Sequence, residues 1–108
     1  MESTRAVEAL GALAQISRLQ VYRLLVQAGP RGVAASDIAA QLDIPANTLS
    51  FHLKTLSHAN WVQSRQEGRF SYYSANYEQM NTLLAFLTEN CCGGRSCAPA
   101  AVRKRSAS

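Results

Sequence analysis

A proline-containing break between two short helical patterns is the feature that most constrains this chain. Residues 36–42 and 46–59 each repeat apolar side chains at helical spacing, and Asp43-Ile44-Pro45 separates them. Because proline cannot continue the hydrogen-bond ladder of a helix, we expect two short helices joined by a tight turn. On a helical wheel the leucines of the second segment fall within about 60° of one another, so one face of that helix is apolar. These leucines are Leu49, Leu53 and Leu56.

The opposite face of this second helix is polar, with one exception. Asn47, Ser50 and Lys54 lie on that side, and Phe51 lies among them. A large aromatic side chain on an outer face is more informative than the polar groups around it.

From Trp61 the sequence pattern changes to a period of two, which predicts β-strands. Residues 61–66 and 69–74 are rich in β-forming residues, and Glu67-Gly68 joins them. A short connection that contains glycine favours a tight hairpin turn. Of Tyr72 and Tyr73, which point to opposite faces of such a strand, one is expected to face the core.

Helical patterns on either side complete the order of elements. Residues 4–15 and 16–29 precede the break, and residues 77–90 follow the hairpin with apolar side chains at i, i+3, i+4 and i+7. Two short helices followed by a β-hairpin are the layout of a winged helix-turn-helix domain. We therefore predict a mainly α (α+β) fold with about five helices and one hairpin wing.

Length and charge set limits on the organisation of the chain. Its 108 residues are enough for one small domain, for which a homodimer is a reasonable expectation. The net charge of +4 comes from basic residues after position 94, since residues 1–94 carry seven basic and seven acidic side chains. Bulk charge therefore does not indicate nucleic-acid binding. We assign residues 1–92 to the folded domain and residues 93–108 to a flexible tail.

The sequence also bears on location and on the state of its thiols. No apolar run approaches the roughly 18 residues of a membrane span, and Met1-Glu2-Ser3-Thr4 lacks the order of a signal peptide. We expect a cytoplasmic protein without a membrane partner, whose cysteines are thiols rather than a disulfide framework. Redox sensing, metal or metalloid binding, and no role at all remain open for them. The cysteines are Cys91, Cys92 and Cys97.

Three segments together carry a resemblance to a known family. Residues 12–25, 47–62 and 65–74 read ALAQISRLQVYRLL, NTLSFHLKTLSHANWV and RQEGRFSYYS. In this order they resemble the ArsR/SmtB family of metal-responsive bacterial repressors, over roughly residues 8–77. The resemblance implies a homodimer, built on the first and last helices, that stays on operator DNA until an inducer releases it.

The residues agree with this implication on the DNA-binding side. The outer face of the second short helix offers amide, hydroxyl and ammonium groups to base edges and phosphates, and its phenylalanine could meet a thymine methyl group. Basic and amide side chains bracket the glycine turn of the hairpin, where they suit phosphates or a narrow minor groove. The predicted DNA-binding residues are Asn47, Thr48, Ser50, Phe51, Lys54, Arg65, Gln66 and Arg69.

Four other positions in this region have structural interpretations. His52 flanks the leucine stripe, so we expect a partly packed side chain rather than a metal ligand. For His58, near the end of the same helix, a phosphate contact and a helix-dipole contact are equally favoured. Ser17 is the expected cap of the second helix, and Asn60 stands where the family usually has glycine, as a residue that tolerates a left-handed turn.

The terminal helices carry apolar stripes that a small domain cannot cover by itself. We predict that these stripes form the interface of the homodimer. The predicted interface residues are Val7, Leu10, Leu13, Met80, Leu83, Leu84 and Leu87.

The family's usual sensor sites are absent from this sequence. Residues 33–42 contain no thiol, and residues 77–90 contain no histidine. Three thiolates without a nearby histidine suit a three-coordinate centre better than tetrahedral zinc, and Gly93-Gly94 could let the third cysteine fold back onto the adjacent pair. Similar carboxy-terminal cysteine triads occur in family members that respond to arsenite. The resemblance therefore implies As(III) or Sb(III) as the inducer, bound by Cys91, Cys92 and Cys97.

Two alternatives use the same cysteines differently. One is a redox-sensing repressor of the same fold, in which Cys97 pairs with Cys91 or Cys92. The other is a small arsenate-reducing or thiol-transfer enzyme. A nucleophilic cysteine needs a phosphate-cradling loop or a helix N-terminus, whereas these cysteines follow a helix, so we expect no catalytic residues.

Overall fold

The computed structural model describes residues 1–94 as six helices and three short strands. The predicted winged helix-turn-helix fold is confirmed, with one strand and one short helical turn added to it. Cys97 and nearly all of the predicted tail lie outside the described residues. The elements are α1 (Ser3–Leu13), α2 (Ile16–Ala28), β1 (Val33–Ala34), α3 (Ala35–Leu42), α4 (Ala46–His58), β2 (Val62–Glu67), β3 (Phe70–Ala75), α5 (Tyr77–Leu87) and α6 (Cys91–Gly94).

The strands form one antiparallel sheet in the order β1-β3-β2. Val62 pairs with Ala75 at the base of the hairpin, and Glu67 pairs with Phe70 at its tip. The turn is therefore at Gly68-Arg69, one residue later than predicted, and Gly68 has the positive φ of 61° that favours glycine. β1 was not predicted, because two residues are too few to show an alternating pattern.

The core lies between the helix-turn-helix and the base of the hairpin. Trp61 is fully buried, and its ring meets that of Tyr22 edge-on at a centroid distance of 5.2 Å. Its indole Nε1 donates a hydrogen bond of 2.7 Å to the carbonyl of Ala9 in α1. Burial raises the pKa of the Tyr22 hydroxyl, and Tyr77 adds to this effect. One tryptophan thus joins α1, α2 and the start of the wing.

Helix ends differ in detail from the sequence expectations. The side chain of Gln15, rather than Ser17, caps α2 by accepting a hydrogen bond of 2.9 Å from the Arg18 backbone N–H. α5 ends at Leu87, three residues before the end of its predicted pattern. Asn60 adopts a φ of 66°, so its predicted left-handed turn is confirmed.

The first helix packs through small residues. Ala6, Ala9 and Ala12 are buried against the body of the protein, whereas Val7 is 68% exposed and Leu10 is 42% exposed. Because alanines face inward, α1 approaches the neighbouring backbone closely and turns its larger apolar side chains outward. Those side chains remain uncovered within one chain.

Candidate nucleic-acid interface and thiol segment

α4 presents the surface that the sequence predicts for DNA contact. Leu49, Leu53 and Leu56 are at most 2% exposed and fasten the helix to the core. Phe51 is 67% exposed on the outer face. The exposed side chains of this face are Asn47, Thr48, Ser50, Phe51 and Lys54.

The first turn of α4 is organised by a local hydrogen bond. Asn47 Oδ1 accepts a bond of 2.9 Å from the Thr48 backbone N–H, so the amide oxygen is used at the helix start. The amide of a side chain held in this way still has its two N–H donors, which suit a base edge or a phosphate oxygen.

The two histidines of α4 lie in different surroundings. His52 is half-buried, and its Nδ1 is enclosed without a hydrogen-bond partner among the described residues. Burial, together with the nearby Arg18 guanidinium, lowers the pKa of His52. The prediction of a partly packed side chain is confirmed. His58 is exposed beside Lys54 and Thr55 along the same side of the helix.

The hairpin extends from the body as an exposed wing. Arg69 lies in the turn at its tip, and the adjacent Phe70 is 54% exposed. Gln66 is also exposed, and its Oε1 accepts a hydrogen bond of 3.0 Å from the Ser71 hydroxyl. Sequence reasoning did not single out Phe70, although its place directly after the turn was a usable signal.

Among the predicted DNA-binding residues, Arg65 makes several side-chain contacts within the protein itself. Its Nε forms a salt bridge with Glu67, and its Nη1 donates a hydrogen bond of 2.8 Å to the carbonyl of Arg31. The guanidinium also lies over the ring of Tyr72, 4.9 Å from the centroid. Tyr73, on the other face of β3, packs against the core, which confirms that one tyrosine of the pair faces inward.

The predicted dimer residues separate into two groups. Leu83 is 3% exposed and belongs to the core of the single chain, and Leu13 and Met80 pack partly against that core. Their positions on the helical wheel did not reveal that Leu83 is buried while its neighbour Leu84 is exposed. The exposed members of the set are Val7, Leu10, Leu84 and Leu87.

The thiol segment follows α5 after a short turn. Cys91 is half-buried and Cys92 is exposed, and their Sγ atoms lie 3.7 Å apart. Asn90, Cys92 and Gly93 all have positive φ angles, so the regular helical geometry of α5 does not continue through this segment. Cys92 is disulfide-bonded in this structure, so the expectation that the cysteines are thiols is wrong at this position. Within residues 1–94, no three His, Cys, Asp or Glu side chains cluster as a metal site.

Among the described residues, every helix is too short or too polar to cross a bilayer.

The fold and the exposed face of α4 define a class of protein. Residues 13–60 match a family described as a helix-turn-helix domain. With the β-hairpin that follows, this is a winged helix-turn-helix protein of the DNA-binding type.

Sequence similarity to a known repressor identifies the family of this chain. The arsenical resistance operon repressor of Bacillus subtilis (strain 168) is 37% identical over 81 residues, which cover 75% of this chain and 73% of the relative. The chain belongs to the ArsR family of winged helix-turn-helix transcriptional regulators.

Solved structures share the fold. An ArsR-like transcriptional regulator from Rhodococcus sp. RHA1 superposes with a TM-score of 0.70 at 22% identity, over 95% of this chain and 93% of that one. A homodimeric winged helix-turn-helix DNA-binding domain from Mycobacterium bovis, a possible ArsR-family regulator, gives a TM-score of 0.66 at 23% identity. That match covers 89% of each chain.

Proposed function

We propose that this chain is a homodimeric repressor that leaves its operator when trivalent arsenic or antimony binds Cys91, Cys92 and Cys97. The observation that carries the proposal is the placement of a vicinal cysteine pair shortly after α5, the helix on which Leu84 and Leu87 are exposed in the single chain. The name of the Bacillus subtilis relative, an arsenical resistance operon repressor, supports the same inducer.

Dimer formation follows from the uncovered apolar side chains of the terminal helices. Val7 and Leu10 on α1 and Leu84 and Leu87 on α5 are between 42% and 68% exposed in one chain. Covering such side chains stabilises by about 25 cal/mol per Å² of apolar area removed from water. A two-fold dimer uses the same patch twice and places two copies of α4 side by side for successive major grooves.

Once Cys92 is reduced, the sulfurs of Cys91 and Cys92 are close enough to bind one soft ion. Two sulfurs bound to one metal at about 2.3 Å each can lie at most about 4.6 Å apart, and the observed separation of 3.7 Å is within that limit. Soft thiolates select soft ions, and a third thiolate from Cys97 would complete the three bonds of As(III). Cys92 and Gly93 have positive φ angles, a backbone conformation that suits a tight turn towards a third ligand.

Inducer binding is coupled to DNA through the position of α5. Only residues 88–90 separate the end of α5 from Cys91, so a ligated thiol segment constrains the end of the helix that bears Leu84 and Leu87. The dimer then shifts towards an arrangement in which the two α4 helices no longer match successive grooves. A differential affinity of about 4 kcal/mol weakens operator binding by about three decades.

The test is release of operator DNA by reduced protein in a gel-shift titration with arsenite, antimonite, zinc and cadmium. Arsenite and antimonite should release the wild type, and zinc should do so poorly for want of a fourth ligand. Changing all three cysteines to serine should leave operator affinity nearly intact and abolish release. If that variant still leaves the DNA on addition of arsenite, the inducer site is elsewhere.

Single substitutions grade the contribution of each thiol. Cys97→Ser leaves the adjacent pair, so the variant should still respond to a methylated arsenical, which needs two sulfurs. Cys91→Ser and Cys92→Ser should lose the response to both ligands. Equal responses from all three variants would contradict a site anchored on the vicinal pair.

A redox-sensing repressor is the second candidate, because Cys92 is disulfide-bonded in the structure. A disulfide at this position would constrain the same segment after α5 and act on the same dimer interface. Release by a thiol oxidant, with no release of the reduced protein by arsenite, would favour this candidate over the metalloid sensor.

A further inference from the structure

The side chain of Arg65 reaches across the whole sheet. Arg65 belongs to β2, which is an outer strand, and it pairs with Tyr72 in the middle strand β3. Its guanidinium lies over the Tyr72 ring, and Nη1 then bonds the carbonyl of Arg31, 34 residues earlier, in the loop before β1. The outer strand is thus connected, over the middle strand, to the far side of the sheet.

Glu67 fixes the direction of this side chain. It lies two residues after Arg65 in β2, on the same face of the strand, and its Oε2 accepts from Arg65 Nε. With Nε and Nη1 both bonded, the planar guanidinium has one defined orientation. We call this set of contacts the Arg65 clamp; it comprises Arg65, Glu67, Tyr72 and the Arg31 carbonyl.

Gly32 brings the accepting carbonyl within reach. It has a φ of +82°, and a Cβ added there would lie 2.7 Å from the Tyr73 carbonyl oxygen and 3.5 Å from Arg65 Nη1. The loop can therefore lie against β3 only because this residue has no side chain. Any other residue at position 32 would have to displace the loop from β3, because its Cβ would clash with the Tyr73 carbonyl oxygen.

Apolar packing does not hold the outer part of the wing. Every residue from 63 to 70 is exposed, and an open cleft of about 700 Å³ lies beside the clamp, between the hairpin and the loop before β1. Exposed hairpins with few buried contacts open easily. The clamp is thus a set of polar contacts in a region that hydrophobic contacts leave unsupported.

We propose that Arg65 is a positioning residue for DNA binding, which clamps the wing to the loop before β1 so that Arg69 at the tip meets the DNA. This role rests on the proposed DNA-binding function of the wing. It differs from a direct phosphate contact by Arg65, because the guanidinium acts on the DNA only through the position of Arg69.

The first test needs no DNA. In Arg65→Lys the charge remains but the fork of donors is lost, so amide hydrogen exchange of residues 62–75 should become about fivefold faster in the full chain. Arg31→Ala is the matched control: it removes a neighbouring charge and keeps the main-chain carbonyl, so exchange in the wing should not change. Unchanged exchange in Arg65→Lys, or equally fast exchange in Arg31→Ala, would overturn the clamp.

The second test uses the coupling between Arg65 and Arg69. Arg65→Lys should weaken operator binding by about fivefold in the wild type and cause no further loss when Arg69→Ala is already present. Additive losses would show that Arg65 contacts DNA independently, which overturns the proposal. If the wild-type chain binds no DNA, the proposed function fails while the exchange result still decides the clamp.

The effect of Glu67→Ala on operator affinity distinguishes the Arg65 clamp from a simple effect of charge, because the two predict changes in opposite directions. Glu67→Ala removes an anion near the DNA, so charge alone predicts tighter binding. The clamp predicts weaker binding, because Arg65 Nε loses its acceptor and the wing loses its fixed position. Equal or tighter operator binding by Glu67→Ala would contradict the proposal.

Discussion

Helices α4 and α1 show opposite uses of an apolar stripe. In α4 the large side chains, Leu49, Leu53 and Leu56, are buried and the polar side is exposed. In α1 the small side chains are buried, while Val7 and Leu10 face outward. The comparison shows that large apolar side chains at helical spacing can be buried in the chain's own core or left exposed on its surface.

The same contrast occurs between two adjacent residues of α5. Leu83 is 3% exposed and Leu84 is 43% exposed, although both belong to one sequence stripe. Since neighbours on a helix are separated by about 100°, Leu83 faces the core while Leu84 lies at the edge of the stripe. The edge of the stripe is where a partner can be reached.

The largest expected effect comes from breaking the outward-facing surface. Leu84→Glu places a charge in the proposed interface, so the dimer should dissociate at micromolar concentration and operator binding should be lost with it. Light scattering and a gel shift measure the two effects. Thr82→Glu, on an exposed position roughly opposite on α5, is the control and should leave both unchanged. A dimeric Leu84→Glu protein would show that the interface is elsewhere.

Opposite changes of side-chain size on the buried faces of α1 and α4 test how closely each helix packs against the core. Leu53→Ala leaves a cavity beneath α4 and should lower the free energy of unfolding by about 2–5 kcal/mol. Ala9→Leu should lower the free energy of unfolding by about 1–3 kcal/mol, because the larger side chain would overpack a buried position. The same residue's backbone carbonyl accepts the hydrogen bond from Trp61, so a shift of α1 would also disturb that bond. Urea unfolding at fixed protein concentration measures both. A neutral Ala9→Leu variant would contradict close packing of α1.

The DNA-binding surface should separate base contacts from phosphate contacts. Asn47→Ala and Ser50→Ala should relax sequence preference at a cost of about 1–3 kcal/mol on the operator. Arg69→Ala should weaken binding to all sequences and reduce the salt slope by about 0.9 for each wing. Fluorescence anisotropy at several salt concentrations, on operator and random DNA, measures these effects. Equal losses on both DNAs for all three variants would place the recognition surface elsewhere.

The smallest expected effect concerns the pH dependence of stability through His52. Its pKa is lowered from 6.5 in the folded chain, so the unfolded chain binds the proton more readily. Stability should therefore fall as pH decreases below about 6.5 and level off below the folded-state pKa. Urea unfolding of the wild type and His52→Gln between pH 7.5 and 5 measures the difference. The same pH dependence in both proteins would exclude this histidine as its source.

Much of the DNA-binding half could be predicted because its signals are local. The Asp43-Ile44-Pro45 break, the spacing of the three leucines of α4 and the glycine of the hairpin each specify backbone shape over a few residues. The exposed face of α4 follows from the buried one, since a helix has a fixed period. The thiol triad was equally visible, because its cysteines lie within seven positions of one another.

Residue spacing and residue type were enough to predict the order of helices and hairpin and the side chains available for DNA and for a soft ion. Which apolar side chains the chain covers, and what Arg65 contacts, depended on the packing of the elements against one another. The acceptor of Arg65 is a backbone carbonyl 34 residues away, and Ala9 meets Trp61 across 52 residues. Such contacts depend on how separate elements pack against one another. The spacing of residues within one element does not specify that packing, because it reflects only the local geometry of the helix or strand.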